Sequence, residues 1–189
     1  MRRWVGILVI GAAILSHPVN TAAQTLRFDG FRRGQKQFTL SSGYGGNHRI
    51  PSDIPKTFSF DVFKARYGWF TSPRTEIGVD FYYENLNGGS SNHSLSSTVS
   101  YRRYFLVRGS TTLAYDLGVG LTRFDRKIVL LGTSTNFTEL LGLTFEHGLG
   151  PASAIVVQYG FTHTSNAGMG SPNIGLNASA VGIGISWFP

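Results

Sequence analysis

Along much of this chain, large apolar side chains alternate with small or ionic ones, and the glycines fall in one phase of the alternation. A two-residue period places successive side chains on opposite faces of a strand, so it marks a sheet whose two faces meet different surroundings. From 113 to 122, Leu113, Tyr115, Leu117, Val119 and Leu121 share one face, while Ala114, Asp116, Gly118, Gly120 and Thr122 share the other. From 75 to 84, Ile77, Val79, Phe81 and Tyr83 oppose Glu76, Gly78, Asp80, Tyr82 and Glu84. Near the end, Val181, Ile183, Ile185 and Trp187 oppose Gly182, Gly184 and Ser186. A soluble lipocalin-like barrel fills its interior with apolar side chains and turns Lys, Glu and Ser to water. Here the polar phase is too small and glycine-rich for a solvated surface. It fits the narrow lumen of a small outer-membrane barrel whose apolar phase faces lipid. In such a lumen Glu76, Asp80, Glu84, Asp116 and Glu146 are expected to pair with Arg102 and other basic side chains rather than to catalyse.

The N-terminus agrees with export. Arg2 and Arg3 precede an apolar run from Trp4 to Leu15, and Thr21-Ala22-Ala23 offers small residues for cleavage before Gln24. The run stops at Ser16-His17-Pro18, short of the roughly 18 or more apolar residues of a membrane helix. Residues 1–23 therefore read as a signal peptide, 24–36 as a periplasmic lead-in and 37–189 as the barrel. Removing Arg2 and Arg3 lowers the formal net charge from +7 to +5. The remaining basic residues form no stripe with interleaved aromatics, so nucleic acid is not expected as a partner, whereas an anionic phosphorylated lipid fits. With 41% hydrophobic and 13% aromatic residues the chain is too apolar for disorder, 24 glycines argue against a helical bundle, and the absence of Cys excludes a disulfide scaffold.

Eight segments carry the pattern, at approximately 37–44, 56–70, 73–84, 93–108, 111–124, 133–147, 151–164 and 176–188. The predicted fold is all-β: an eight-stranded antiparallel transmembrane β-barrel of the outer-membrane type. In segment 56–70 the phase of Phe58, Phe60 and Val62 gives way to that of Phe63, Ala65, Tyr67 and Trp69, which reads as a β-bulge near Phe63. Connections alternate long (45–55, 85–92, 125–132, 165–175) and short (Ser72-Pro73, Gly109-Ser110, Gly148-Leu149-Gly150). Outer-membrane barrels have short periplasmic turns and longer extracellular loops, so both termini are expected in the periplasm. Trp187-Phe188-Pro189 supplies aromatic residues at the membrane interface, with Pro in place of the usual terminal aromatic.

The last long loop begins His163-Thr164-Ser165-Asn166-Ala167-Gly168 and continues through Pro172-Asn173-Ile174-Gly175-Leu176-Asn177. Residues i and i+2 of a strand share a face, so the His163 imidazole can meet the Ser165 hydroxyl and take its proton. Their phase runs back through Phe161, Tyr159, Val157 and Ile155, which is the lipid-facing one, and an ionisable side chain there is costly. Near the extracellular rim the pair is in reach of an ester at the headgroup boundary. The plainer alternative is two polar loop-entry residues.

In this His-x-Ser-Asn-Ala-Gly run followed by Pro-Asn-x-Gly, the sequence resembles the outer-membrane lipid A 3-O-deacylase family, most clearly from about Tyr115 to Trp187. The resemblance implies an eight-stranded barrel that hydrolyses the ester-linked acyl chain at the 3 position of lipid A, with His163 as general base and Ser165 as nucleophile. It also implies oxyanion stabilisation by Asn166 and the backbone N–H of Gly168, although both residues equally suit a turn. The substrate would be lipid A, or lipopolysaccharide, of the outer leaflet.

If the seventh and eighth strands pair about Ser171, Ser165 lies opposite Asn177 and His163 opposite Ser179. In the resembling family the position after Pro-Asn-x-Gly can carry a Glu that orients and charges the His. Asn177 stands there in this chain, and an amide can fix the tautomer but cannot stabilise an imidazolium with a full charge. Glu139, also outward, is expected about three residues nearer the periplasm than His163, roughly 10 Å away, and is not expected to substitute. His48, His93 and His147 lie far apart in the pattern with no ligand spacing, so neither a metal site nor a cofactor is expected. The competing readings are a catalytically silent structural or lipid-binding barrel of the same fold and, against the glycine-rich phase, a soluble carrier.

Overall fold

The computed structural model describes residues 31–48, 58–87, 92–150 and 152–189. Within them eight strands, β1 (Lys36–His48), β2 (Ser59–Ser72), β3 (Thr75–Asn87), β4 (Asn92–Arg108), β5 (Thr111–Phe124), β6 (Thr135–Gly150), β7 (Ser153–Ser165) and β8 (Leu176–Trp187), form a closed antiparallel barrel. Each strand pairs with its sequence neighbours, and β1 pairs with β8 to close the wall. Strands of 12 to 17 residues exceed the roughly 9–11 needed to span a bilayer at the usual tilt. The proposed signal peptide, residues 1–23, and the first part of the lead-in lie outside the described residues.

The side chains sort as the alternation requires. Phe81, Leu95, Val99, Val119, Leu141 and Ile183 are exposed on the outer wall, whereas Thr98, Ser100, Thr122 and Thr144 are buried in the lumen. A wall this apolar is stable against lipid and not against water, which makes the molecule a transmembrane barrel and overturns the soluble carrier. Inside, Arg66 and Arg102 are fully buried and are met by the lumen acids. Arg66 reaches Asp80 at 2.8 Å and Glu76 at 3.2 Å, Lys64 reaches Asp80 at 3.0 Å, and Arg102 reaches Asp116 at 2.6 Å with Glu146 at 3.6 Å and Glu76 at 3.8 Å. Glu84 departs from the expected pairing and accepts a hydrogen bond from Ser94. The glycines make room for these large groups: a Cβ on Gly78 would stand 2.7 Å from the Arg66 guanidinium.

Apolar side chains gather at both ends of the lumen, as a plug at the short-turn end and as the lining of a cavity at the long-loop end. At the short-turn end Phe31, from the lead-in, stacks on Phe70 with ring centroids 4.0 Å apart and packs against Tyr104 and Phe188. Phe188 therefore turns inward, contrary to the expected interfacial role, while Trp187 stays on the outer wall against Phe38. At the long-loop end Phe60, Leu86, Phe124, Leu131, Leu176 and Ala178 form a second cluster. That cluster explains the phase change in β2. The register of β2 with β1 and β3 runs unbroken past Phe63, so there is no bulge there; Phe58, Phe60 and Val62 belong to the inward phase, which becomes apolar at this end. The shift in β2 comes later, between Phe70 and Ser72.

Candidate active site

The site is built on the outer wall at the long-loop end, where β7 presents Tyr159, Phe161, His163 and Ser165 in succession on one face. Strand pairing sets Asn177 of β8 directly across from His163, and His48 of β1 across from Asn177. The expected register is thus corrected by one pair: Phe161, not His163, faces Ser179, and Asn177 belongs to His163 rather than to Ser165. Reflection about position 170 instead of 171 accounts for it, because moving a hairpin's centre by one residue moves every partner by two.

His163 Nδ1 lies 2.8 Å from Asn177 Oδ1. With the amide oxygen as acceptor the ring donates Nδ1–H, leaving Nε2 as the basic nitrogen. The ring rests on Gly175, whose φ of +79° is open to glycine and whose added Cβ would lie 2.8 Å from His163 Cε1. Ser165 ends β7 and pairs with Phe137 of β6; its hydroxyl has no hydrogen-bond partner among the described residues. His163 and Ser165 are successive outward residues, about 6.6 Å apart along the strand.

Asn166 and Gly168 occupy a different setting. Asn166 is fully buried and knits the loop: its Nδ2 donates to the carbonyls of Leu131 at 2.6 Å, Gly170 at 2.9 Å and Pro172 at 3.4 Å. Its Oδ1 accepts the Gly168 N–H at 2.8 Å, and its own N–H goes to Asn173 Oδ1 at 3.0 Å. Through Leu131, in the short 3-10 helix Val129–Leu131 of the preceding long loop, the loop after β7 is anchored on its neighbour. Ile174 N–H, donating to Leu130 O at 3.1 Å, adds a second tie.

Glu139 is where the structure departs most from expectation. It is the β6 partner of His163, not a residue three places lower. The predicted turn at Gly148-Leu149-Gly150 is instead the end of β6, with a register shift between Gly148 and Gly150, and β7 starts at Ser153. The hairpin's centre moves up and carries Glu139 level with His163. Barrel closure places His48 on the same row; its Nε2 lies 2.7 Å from Ser179 Oγ, and Tyr159 Oη lies 2.9 Å from that oxygen. Nothing short of the β1–β8 pairing would have shown this.

Below the row an apolar groove of about 580 Å³ crosses the outer wall from His163 and Glu139 over Phe161, Leu141 and Val119 toward Tyr101. Among the described residues no three His, Asp or Glu side chains stand together as metal ligands.

A family model described as lipid A 3-O-deacylase (PagL) matches residues 57–186. Among solved structures, the outer membrane enzyme PagL has a TM-score of 0.59 at 19% identity, covering 78% of this chain and 97% of that one. Neisserial surface protein A (NspA) is 11% identical with a TM-score of 0.58, covering 82% and 96%. OprG from Pseudomonas aeruginosa is 11% identical with a TM-score of 0.54, covering 85% and 98%. At such identities the structural likeness is one of fold. No curated protein matches the chain.

Proposed function

The chain belongs to the lipid A 3-O-deacylase family, and from that premise we propose that it is an outer-membrane ester hydrolase that removes the 3-O-linked acyl chain of lipid A in a Gram-negative bacterium. In this reading residues 1–23 direct export, the lead-in 24–36 enters from the periplasm and tucks Phe31 into the lumen before β1 begins at Lys36, and the long loops face outward. The acyl chain lies along the apolar groove on the outer wall, which brings its ester to the headgroup level beside His163. Nε2 of His163 removes the proton of the Ser165 hydroxyl as its oxygen bonds to the ester carbon. Collapse of the tetrahedral intermediate breaks the bond to the sugar oxygen, which takes the proton from the imidazolium. Water, deprotonated by the same ring, then releases the fatty acid from Ser165. Asn177 holds the ring in the tautomer that leaves Nε2 free. The oxyanion role of the Asn166–Gly168 turn belongs to the same proposal, and it requires the substrate oxygen to replace Asn166 Oδ1 as acceptor of the Gly168 N–H.

The observation that carries this reading is the imidazole fixed by Asn177 on the lipid-facing wall, one outward residue from Ser165 and at the head of an apolar groove. Mass spectrometry of lipid A before and after incubation with the folded protein tests it. Loss of the 3-O acyl chain with the wild type, and its retention with Ser165→Ala and with His163→Ala, is expected. The double variant should lose no more than either single one, because residues acting as a unit are non-additive. Release of the fatty acid by Ser165→Ala at the wild-type rate removes Ser165 as nucleophile. A wild type that leaves lipid A intact makes the protein a silent barrel.

A further inference from the structure

The strand carboxylates Glu76, Asp80, Asp116 and Glu146 are buried in the lumen, Glu84 joins Ser94 on that face, and Asp61, outward near the long-loop end of β2, is held by Asn87 at 3.2 Å. Glu139 is the exception. It stands exposed on the outer wall between Phe137 and Leu141, which are both exposed and apolar, and it makes no ion pair or hydrogen bond with a side chain among the described residues. A carboxylate on the lipid-facing side of a barrel is costly, and the cost falls toward the strand ends; Glu139 is the fifth residue of β6 from its long-loop end. Its β7 partner is His163, and the two head the same groove. Directly paired residues of antiparallel strands have Cα atoms about 4.5–5.5 Å apart, within the reach of a glutamate that rotates toward its neighbour.

On the other side of the imidazole is Asn177, which fixes the ring and carries no charge. We propose that Glu139 is a positioning residue for the hydrolysis inferred above, supplying from β6 the negative charge that β8 lacks. As the Ser165 proton moves to Nε2 and the ring becomes an imidazolium, the Glu139 carboxylate, one strand away, stabilises the charge that forms. The work done by a single third residue is thus divided here between an amide that orients and an acid that charges. The inference rests on His163 acting as the general base.

Glu139→Gln keeps the shape and removes the charge. In the full protein, folded and inserted, kcat on lipid A should fall about tenfold with KM little changed, the size expected for charges ~5 Å apart and partly screened by water. The acid limb of the kcat/KM profile should move to lower pH, because the neutral amide no longer favours the protonated ring. Adding Asn177→Glu to Glu139→Gln should restore most of the rate, since the charge then comes from the opposite side. A Glu139→Gln enzyme with wild-type kcat and an unmoved acid limb overturns the proposal. So does a slow one whose acid limb stays in place and whose rate Asn177→Glu fails to repair, which would make Glu139 only structural. His163→Ala measured in parallel separates the two levels. If it is inactive while Glu139→Gln is unaffected, only the role of Glu139 falls; if it matches an active wild type, His163 is not the general base and the proposed mechanism and this inference fall together.

Discussion

Under the proposed mechanism, Asn177 is the residue at which two separate needs of a histidine base, orientation and charge, can be measured apart. Its 2.8 Å contact with His163 serves orientation alone, because an amide has no net charge to offer. Asn177→Ala removes that contact and leaves the ring free to turn over Gly175. Losing one such hydrogen bond, worth about 1 kcal/mol, should slow deacylation by roughly fivefold, with the barrel still folded by heat-modifiable electrophoresis. Unlike Glu139→Gln, this change should leave the acid limb of the pH profile where it is. An unchanged kcat in Asn177→Ala would show that another group sets the ring. The sequence indicated His163, Ser165 and Asn177 as candidates, but not which of them touch. The i and i+2 spacing within β7 is local and legible, whereas the β7–β8 partners depend on where a long loop reverses.

At the scale of elements, the loop from Asn166 to Gly175 depends on a single buried side chain. Asn166 offers one amide to three carbonyls and one oxygen to a backbone N–H, and so joins this loop to the 3-10 helix Val129–Leu131. Asn166→Ala leaves those buried groups unpaired, at a cost of about 1–3 kcal/mol for each one that water cannot reach. Faster proteolysis within 166–175 and a loss of deacylation are expected, with the denaturation midpoint of the barrel nearly unchanged. If activity persists while the loop is cut faster, the loop's order is not needed for the site. The Asn-Ala-Gly run was readable as a turn with possible oxyanion donors. That its amide is committed to the neighbouring loop was not readable, because the carbonyl of Leu131 lies 35 residues away in sequence.

For the molecule as a whole, the lumen charges set how firmly the barrel stands. Arg102 is wholly buried, with Asp116, Glu76 and Glu146 around it and Thr144 Oγ1 accepting from its Nη2 at 3.1 Å. Removing one partner of a buried ion pair strands the other, typically at about 3–5 kcal/mol. Arg102→Ala should therefore lower the stability of the folded barrel by that order, measured by urea unfolding in detergent. Arg102 is buried in the lumen, on the opposite side of the wall from the outward His163 and Ser165, so the surviving folded fraction should keep its activity per molecule. A stability within 1 kcal/mol of wild type would mean that water or the remaining cations Lys64 and Arg66 neutralise the acids.

The sequence by itself determined the wall. Period two is local and fixes which side chains share a face, and apolar width on one face with glycine and ions on the other admits few closures besides a small barrel in lipid. Strand number, the alternation of long and short connections and the shared face of His163 and Ser165 follow from that local information. Register across the hairpins and closure were decided only by the tertiary structure. Where β6 turns into β7, a strand running to Gly150 instead of stopping near 147 raises Glu139 to the level of His163. Where β1 meets β8, His48 arrives beside Asn177 from 129 residues away. A local pattern repeats identically under a two-residue slip, so it cannot distinguish these registers; the packing of the lumen and the geometry of the turns select one of them.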